Sequence, residues 1–320
     1  MRVLCVAAVV RFWSAAQSEG ARRASQTLDS AGAPAASFHL FRARSFVVNA
    51  SPLVSVVVPT RNSASTLERL LRSVEDQSYS PVELIVVDNC SDDETGAIAA
   101  RHADQVVEHG PERSAQRNRG VALASGQYVL ILDADMELTP GTIAECVSTA
   151  MQSGATAVVV PERTVGAGFV ASCRALERRC YEGDSSIEAA RFFTREAFQR
   201  AGGYDETLTG PEDWDLPARM RDSGEVLGRA DNAMINHDEG DLRLGEHLRK
   251  KYYYGKSFGT YVRRHPELAR AQINPLRPSL VRNWRRLFAR PVLGCGVVVL
   301  KAAEFGAGGL GLASTLVSRK

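Results

Sequence analysis

The chain has 320 residues, 44% of them hydrophobic and 24% charged, a composition typical of a globular protein with one or two domains. Its six cysteines include no C-x-x-C pair, which argues against a disulfide framework or a zinc cluster and favours a reducing compartment. The net charge of +2 is unevenly distributed, because residues 243–290 carry thirteen Lys or Arg against two acids. This asymmetry indicates an anionic partner for the C-terminal part, such as lipid headgroups, nucleic acid or polyphosphate.

The first 50 residues contain one short apolar stretch followed by a region rich in Ala, Ser and Arg. We expect a poorly ordered leader here rather than a signal or transit peptide, because the apolar stretch is short and no clear cleavage pattern follows it.

A regular alternation of strand and helix patterns begins near residue 53. The predicted strands are 54–58, 84–87, 128–132 and 155–160, and the predicted helices are 64–76, 93–102, 114–124 and 140–152. Ser91 and Glu94 have the spacing of a capping box for the second of these helices. Strands that are almost entirely apolar and alternate with helices indicate an α/β fold with a mostly parallel sheet covered on both faces.

Three of the predicted strands end in polar residues. Pro59, Thr60 and Asn62 end the first strand, Asp88 ends the second, and the pair Asp133 and Asp135 ends the third. In sheets of this type ligands bind beyond the carboxyl ends of the strands, so we expect these side chains to line one crevice.

The Asp133/Asp135 pair is unusual, because two carboxylates at the end of a buried strand repel each other. A divalent cation such as Mg²⁺ or Mn²⁺ would offset this repulsion, and the alternative is a solvated turn. Arg117 and Arg119 precede the same strand and can neutralise a diphosphate, unless they belong to a solvated helix face.

Four stretches, in this order, closely resemble the family 2 glycosyltransferases of the GT-A fold. They are "SVVVPTRN", "ELIVVDNCSDDET", "QRNRGVALASGQYVLILDADME" and "GGYDETLTGPEDWDL", and the resemblance covers about residues 53 to 240. It implies a Rossmann-like GT-A domain, a nucleotide-diphosphate sugar donor, a Mn²⁺ or Mg²⁺ ion on the D-x-D pair, and inversion at the anomeric carbon.

The resemblance also implies roles for individual residues. On the donor side these are Pro59, Thr60 and Asn62 at the nucleotide, Asp88 at the base, Arg117 at the diphosphate, Asp133 at the ribose and metal, and Asp135 as metal ligand. Asp213 matches the general base, Glu212 is its neighbour, and Trp214 would wall the acceptor site. His237 would complete the metal shell; the alternatives are a structural histidine, or Asp238 in the same role.

The chemistry of sugar transfer agrees with these roles, because it needs one acidic cluster to hold the metal and a separate one to act as the base. The departing nucleotide diphosphate must be neutralised by a metal and arginines, and a carboxylate on the opposite face of the sugar must accept the proton of the attacking hydroxyl. A phosphohydrolase of the haloacid dehalogenase type also uses D-x-D, but "DADME" lacks its Gly-Thr. The remaining alternative is a non-catalytic nucleotide-sugar or saccharide-binding protein on the same fold.

We expect three regions after the leader: a GT-A domain at 51–240, a basic helical segment at 241–290 and an apolar, Gly-rich tail at 291–320. The tail approaches the ~20 apolar residues that span a bilayer, although Lys301 and Glu304 interrupt it. We expect it to lie in or dip into the cytoplasmic leaflet, with a spanning helix and a hairpin packed on the enzyme as alternatives.

The interleaved lysines and aromatic residues of "KKYYYGKSFGTY" also occur in single-strand nucleic-acid binders. The apolar tail that follows favours an anionic membrane surface instead. The expected acceptor is therefore a lipid-linked or saccharide molecule at the cytoplasmic face of a membrane.

Overall fold

The computed structural model of the protein describes residues 51–274 and 277–317, so the predicted leader lies outside the described residues. The strands are β1 (Val54–Thr60), β2 (Val82–Asp88), β3 (Gln105–Glu108), β4 (Tyr128–Ile131), β5 (Met136–Leu138), β6 (Ala157–Val159), β7 (Glu162–Ala167), β8 (Ala190–Thr194), β9 (Leu227–Arg229) and β10 (Ile235–Asp241).

Helices alternate with these strands and then continue to the end of the described region. They are α1 (Ala64–Glu75), α2 (Thr95–His102), α3 (Arg113–Leu123), α4 (Thr142–Ser153), α5 (Gly168–Tyr181), α6 (Arg195–Arg200), α7 (Glu212–Asp222), α8 (Leu244–Arg264), α9 (Pro266–Ile273), α10 (Pro278–Arg282), α11 (Trp284–Phe288) and α12 (Pro291–Val317).

The main sheet has the strand order β3-β2-β1-β4-β8-β6-β9 within the described residues. The pairs β2/β3, β1/β2, β1/β4 and β6/β9 are parallel, whereas β8 runs antiparallel to both β4 and β6. The predicted α/β fold with a mostly parallel sheet is therefore confirmed. Because β1 and β4 are parallel neighbours, the polar residues that follow them lie at the same edge of the sheet.

The sheet is covered by helices on both faces. Val56 of β1 packs in a core with Leu70 of α1, whereas the next residue, Val57, packs in a second core with Val121 of α3. Successive side chains of a strand point to opposite faces, so an uninterrupted apolar strand requires two cores. This pattern explains why β1 is buried along its whole length.

The predicted capping box at Ser91 is wrong. Helix α2 begins at Thr95, and Glu94 precedes it without capping through its side chain. The Ser91 amide and hydroxyl instead donate to the carboxylate of Asp88, at 2.8 and 2.6 Å. Asp88 is buried, so its oxygens require donors, and Ser91 supplies them in place of capping the helix.

A small second sheet positions the residues that follow β4. Its strand order is β5-β10-β7, and His237 of β10 stands opposite Met136 of β5. The backbone amide of Asp238 also donates to the carbonyl oxygen of Asp135, at 2.8 Å. The sheet thereby places His237 beside Asp135, although the two residues are far apart in sequence.

The predicted apolar tail forms helix α12, which packs against α8 and α5. Gly311 and Gly255 allow close packing, since a Cβ at Gly311 would fall on the carbonyl oxygen of Tyr252 and one at Gly255 on that of Gly308. Among the described residues, Pro291–Thr315 is the one helical stretch long and apolar enough to cross a membrane, and 28% of its most apolar window is buried against the protein.

Candidate active site

A cavity of about 380 Å³ opens beyond the carboxyl ends of β1 and β4, and we call it the β1–β4 cavity. Six of the residues predicted to bind a donor or a metal line it: Pro59, Thr60, Asn62, Asp133, Asp135 and His237. Arg113, Gln116 and Lys250 line it too, and sequence reasoning did not select them. The strand ends therefore meet in one crevice, as their parallel order requires.

Asp88 is not among the residues that line this cavity. Its Oδ1 accepts hydrogen bonds from the hydroxyls of Thr60 and Ser91, and its Oδ2 accepts one from the Ser91 amide. These contacts tie the end of β1 to the loop after β2. In this structure Asp88 therefore holds the rim of the crevice in shape.

Asp135 and His237 form the part of the cavity best suited to a cation. His237 Nε2 lies 3.4 Å from Asp135 Oδ2, and His237 Nδ1 lies 3.3 Å from the carboxylate of Glu162. The other Asp135 oxygen, Oδ1, is buried and has no hydrogen-bond partner among the residues that the structure describes. A carboxylate behind a histidine is the usual arrangement that orients a metal-binding imidazole.

The charge state of His237 reflects these neighbours. Burial disfavours the charged imidazole, but hydrogen bonds to Asp135 and Glu162 outweigh burial and raise the pKa of His237 to about 9. Only neutral imidazole binds a metal, so a cation at Asp135 would replace a proton on this ring.

The protein donors fit Mg²⁺ or Mn²⁺, which is often held by one or two protein carboxylates together with substrate phosphates. Within residues 51–274 and 277–317, no group of three or more His, Cys, Asp or Glu side chains is arranged to hold a metal. Asp133 would join Asp135 and His237 only by giving up contacts with arginines, since its Oδ1 lies 2.5 Å from Arg117 and its Oδ2 lies 3.4 Å from Arg191.

Two buried arginines join Asp133 to Asp213, and we call this group of four the arginine bridge. Arg117 donates to Asp133 at 2.5 Å and to Asp213 at 2.8 Å. Arg191 lies 3.4 Å from Asp133 and 3.6 Å from Asp213. Burial alone would raise the pKa of Asp133, but Arg117 and Arg191 hold it well below its ordinary value.

The predicted acidic clusters are therefore linked by shared cations. Helix α3 supplies Arg117, strand β8 supplies Arg191, and the first turn of α7 supplies Asp213. Arg119, the other arginine considered on α3, is exposed. Arg191 was missed, although one charged residue inside the apolar strand β8 is a signal that could have identified it.

Glu212 is fully buried and anchors the start of α7. Its carboxylate pairs with Arg113 at 2.7 Å, and it also accepts a hydrogen bond from the backbone amide of Gly210. Arg113 also lines the β1–β4 cavity, so the ion pair between Arg113 and Glu212 connects the start of α7 to that cavity.

A second cavity, of about 220 Å³, lies on the other side of the arginine bridge, and we call it the α7 cavity. Asp213, Trp214, Arg191 and Glu162 line it, whereas Asp133 lines only the β1–β4 cavity. Trp214 is held in the wall by a 3.0 Å hydrogen bond from its Nε1 to the carbonyl oxygen of Ile187. The bridge thus presents one carboxylate to each cavity.

Comparison with known proteins identifies the family of this domain. Residues 55–201 match the family model described as Glycosyl transferase family 2. A "Pre-mycofactocin glycosyltransferase" of Mycobacterium tuberculosis is 31% identical over 67% of this chain and 48% of its own length. A "GalNAc(5)-diNAcBac-PP-undecaprenol beta-1,3-glucosyltransferase" of Campylobacter jejuni is 33% identical over 32% of this chain and 34% of its own length. The chain thus spans about half or less of these relatives.

The fold is also found in a solved structure. A mannosyltransferase from Pyrobaculum calidifontis, in complex with GDP-Man and Mn²⁺, superposes with a TM-score of 0.61 at 20% identity and covers 85% of this chain and 89% of its own. Sequence motifs, the matched domain and the GT-A architecture lead to one conclusion: the chain belongs to glycosyl transferase family 2.

Proposed function

We propose that the protein transfers a sugar from a nucleotide-diphosphate donor to a lipid-linked or saccharide acceptor, with Mn²⁺ or Mg²⁺ and with inversion. The observation that carries this proposal is the arginine bridge, which separates two cavities and presents Asp133 to one and Asp213 to the other. A transfer reaction requires a donor on one side of the reacting carbon and an acceptor on the other.

The β1–β4 cavity is the proposed donor site. Pro59, Thr60 and Asn62 would contact the nucleotide, with Asp88 shaping that end of the crevice or contacting the base. Asp135 and His237 would hold the metal, and Asp133 would lie at the ribose and metal. When bound, the metal supplies charge neutralisation for the diphosphate.

The arginines of the bridge have a second task in this proposal. Arg117 is always charged, but it is fully buried and lines neither of the two cavities, so it would act on the diphosphate through its electric field, without direct contact, as negative charge develops on the leaving group. Because its side chain is already held by two carboxylates, it would need little reorganisation during the reaction.

Asp213 is the proposed general base, with Glu212 fixing the start of its helix. Its carboxylate lines the α7 cavity, so an acceptor hydroxyl bound there could give its proton to Asp213. Attack from this side proceeds opposite the departing diphosphate and inverts the anomeric configuration. Trp214 would provide an apolar wall for the acceptor.

We assign the acceptor to a membrane because of the C-terminal helices. Trp284, Phe288, Val292 and Val299 are exposed apolar residues of this region. They alternate with exposed arginines, namely Arg282, Arg285, Arg286 and Arg290. Exposed aromatic and aliphatic residues beside basic ones suit the interface of an anionic cytoplasmic leaflet. The Campylobacter relative, named for an undecaprenol-linked substrate, supports an acceptor of this kind.

Membrane binding can be tested by sedimentation with vesicles containing phosphatidylglycerol. The double variant Trp284→Ala and Phe288→Ala should bind less than the wild-type protein, while Val106→Ala, an exposed apolar residue on β3, should bind equally. Equal binding by all three proteins, or no binding by the wild type, would contradict the membrane assignment.

The donor assignment can be tested by thermal shift with UDP-glucose, UDP-GlcNAc and GDP-mannose, each with and without Mn²⁺. A ligand that binds only the folded state raises Tm, and we expect one donor to do so in a Mn²⁺-dependent manner. Asp135→Ala should remove the Mn²⁺ dependence, and each shift is measured from the variant's own Tm without ligand, because the substitution also removes the contact between Asp135 Oδ2 and His237 Nε2. A wild-type protein that binds no donor, or an Asp135→Ala variant that keeps the full Mn²⁺ effect, would refute the assignment.

A further inference from the structure

The α7 cavity is small, and eleven of its seventeen lining residues lie inside the matched family domain, whereas three of its lining cations come from the C-terminal region. Its volume of about 220 Å³ lies below the ~300–1,000 Å³ of pockets that enclose a whole small-molecule ligand. Lys251 comes from α8, Lys301 from α12, and Arg277 immediately precedes α10. The cavity therefore accommodates one chemical group of an acceptor, and the C-terminal region supplies three of the six cations that line it.

All the carboxylates that line this cavity are already paired with a cation. Asp213 is held by the arginine bridge. The others are Glu162 with Arg191 at 2.9 Å, Glu177 with Lys301 at 2.6 Å, Glu182 with Arg286 at 3.1 Å and Glu188 with Arg229 at 2.9 Å. These acids are not free to bind a cationic ligand.

Two of the lining cations, in contrast, have no carboxylate within 4.0 Å among the described residues: Lys251 and Arg277. Arg277 donates to the carbonyl oxygen of Gln272 at 2.7 Å, and its guanidinium lies 5.2 Å from the centre of the Tyr181 ring. The Lys251 ammonium makes no hydrogen bond within 51–274 and 277–317. The cavity wall thus carries unpaired positive charge.

An unpaired ammonium in this position is costly. Burial, together with the positive charges of Arg174 and Lys301, lowers the pKa of Lys251 to about 8 and outweighs the carboxylates of Glu304 and Glu177, which raise it from beyond ion-pair distance. A partly buried charge without a partner destabilises the folded protein, whereas an anion bound beside it would satisfy its donors and restore its charge. A lysine kept at such a cost in a cavity wall indicates a ligand that pairs with it.

We propose that the α7 cavity binds a phosphate group of the acceptor through Lys251 and Arg277, so that the acceptor is an anionic molecule. The proposal rests on the assignment of this cavity as the acceptor site. Lys251 and Arg277 lie in the same cavity wall as Asp213, so a phosphate held there would keep the attached hydroxyl-bearing part beside the proposed base. Lys251 and Arg277 are positioning residues, since they act on the acceptor without touching the reacting atoms.

The test measures binding of inorganic phosphate by calorimetry, at an ionic strength matched with sodium chloride. Lys251→Met should weaken binding about tenfold or more, and Lys251→Arg should restore it because the charge returns. The matched control is Lys256→Met, which removes the same charge from the exposed side of α8, outside both cavities, and should bind as the wild type does. The Tm of each variant without phosphate shows whether it is folded, because Lys251 also contributes positive charge near the buried Glu304.

Competition then identifies the source of the phosphate. If the acceptor is a soluble sugar phosphate, glucose 1-phosphate should displace the phosphate whose binding depends on Lys251. If the acceptor is lipid-linked, phosphatidylcholine vesicles containing phosphatidic acid should displace it. Either result supports the proposal. Displacement by neither would mean an adventitious ion only and would overturn it. So would equal phosphate binding by wild type and Lys251→Met, or no binding to the wild type.

The failure of this inference can be separated from the failure of the proposed function. A wild-type protein that binds a nucleotide sugar with Mn²⁺ but no phosphate would overturn the phosphate site and leave the transferase assignment intact. Lys251-dependent phosphate binding without any nucleotide-sugar binding would leave an anion site and refute the donor assignment.

Discussion

Two buried ion clusters of this protein contain the same kinds of groups but differ in accessibility. The arginine bridge has buried cations, and its carboxylates, Asp133 and Asp213, are each 18% exposed, one towards each cavity. The second cluster joins α5, α8 and α12 through Glu177, Lys301, Glu304 and His247, and its carboxylates are at most 6% exposed. We call it the C-terminal cluster.

The difference indicates distinct tasks. Asp133 and Asp213 are exposed enough to meet a substrate. Glu177 lines the α7 cavity too, but it is only 1% exposed, and like Glu304 it is held by Lys301, so these two carboxylates fix the helices relative to one another. A buried ion pair contributes little net stability compared with apolar packing, but removing one partner is strongly destabilising. Variants in the bridge should therefore change turnover, and variants in the C-terminal cluster should change the free energy of unfolding.

The largest expected effect is on turnover by Asp213→Asn. The substitution preserves the size of the side chain but removes its ability to accept a proton, so kcat should fall ~10²- to 10⁴-fold while donor binding survives. Asp222→Asn, at the exposed end of the same helix, is the matched control and should turn over normally. Near-normal turnover by a folded Asp213→Asn variant, or a product that retains the donor's anomeric configuration, would rule out Asp213 as the base.

The next effect should appear in stability. Glu304→Leu leaves Lys301 and His247 without one of their partners in a buried site, so the free energy of unfolding measured in urea should fall by about 3–5 kcal/mol. Glu267→Leu removes a carboxylate paired with Arg270, also three residues away, but exposed. That control should change stability by about 0.5 kcal/mol or less, and similar losses in both variants would contradict the distinction.

Alanine substitutions at two glycines of α12 should change stability by smaller amounts and in opposite directions. Gly311→Ala places a methyl group against the carbonyl oxygen of Tyr252 on α8 and should destabilise by about 1–3 kcal/mol. Gly306→Ala meets no atom within 4 Å and should stabilise the helix by about 0.5–1 kcal/mol. Thermal unfolding of the two variants checks the signs. If both changes stabilise, α12 is not packed on α8 in solution.

The smallest expected effect is a pH-dependent difference in Tm between the wild type and Glu177→Gln. The effect should be small because Lys301 still has Glu304 as a partner in that variant. Burial raises the pKa of Glu177, but Lys301 and Arg174 outweigh burial and lower it to about 2. A lowered pKa stabilises the folded state above the ordinary value of 4.5, and this contribution disappears as the pH falls from 4.5 towards 2.

The Tm difference between these two proteins should therefore be constant above about pH 5.5 and shrink in more acidic solution. A difference that stays constant from pH 7 to pH 3 would mean that Glu177 is not held in its charged form by the cluster. The exposed pair Glu267 and Arg270 provides the reference, because Glu267→Gln should show little pH dependence.

The sequence by itself determined the α/β alternation, the parallel order of the first strands and the convergence of Asp133 and Asp135 on one crevice. These features depend on local periodicity and on the rule that parallel strands end at a common edge, and both can be read from neighbouring residues. The ordered motifs were also sufficient for the family, because each motif is a short continuous stretch.

Only the tertiary structure decided which charges meet. Arg117 joins Asp133 and Asp213 across 16 and 96 residues, and Glu304 meets His247 across 57. In the sequence, Lys301 and Glu304 are interruptions of an apolar stretch, whereas in the fold they are partners in a buried cluster. The role of a buried charged side chain depends on the groups that surround it, and these can be far away in the sequence. Periodicity carries no information about those partners.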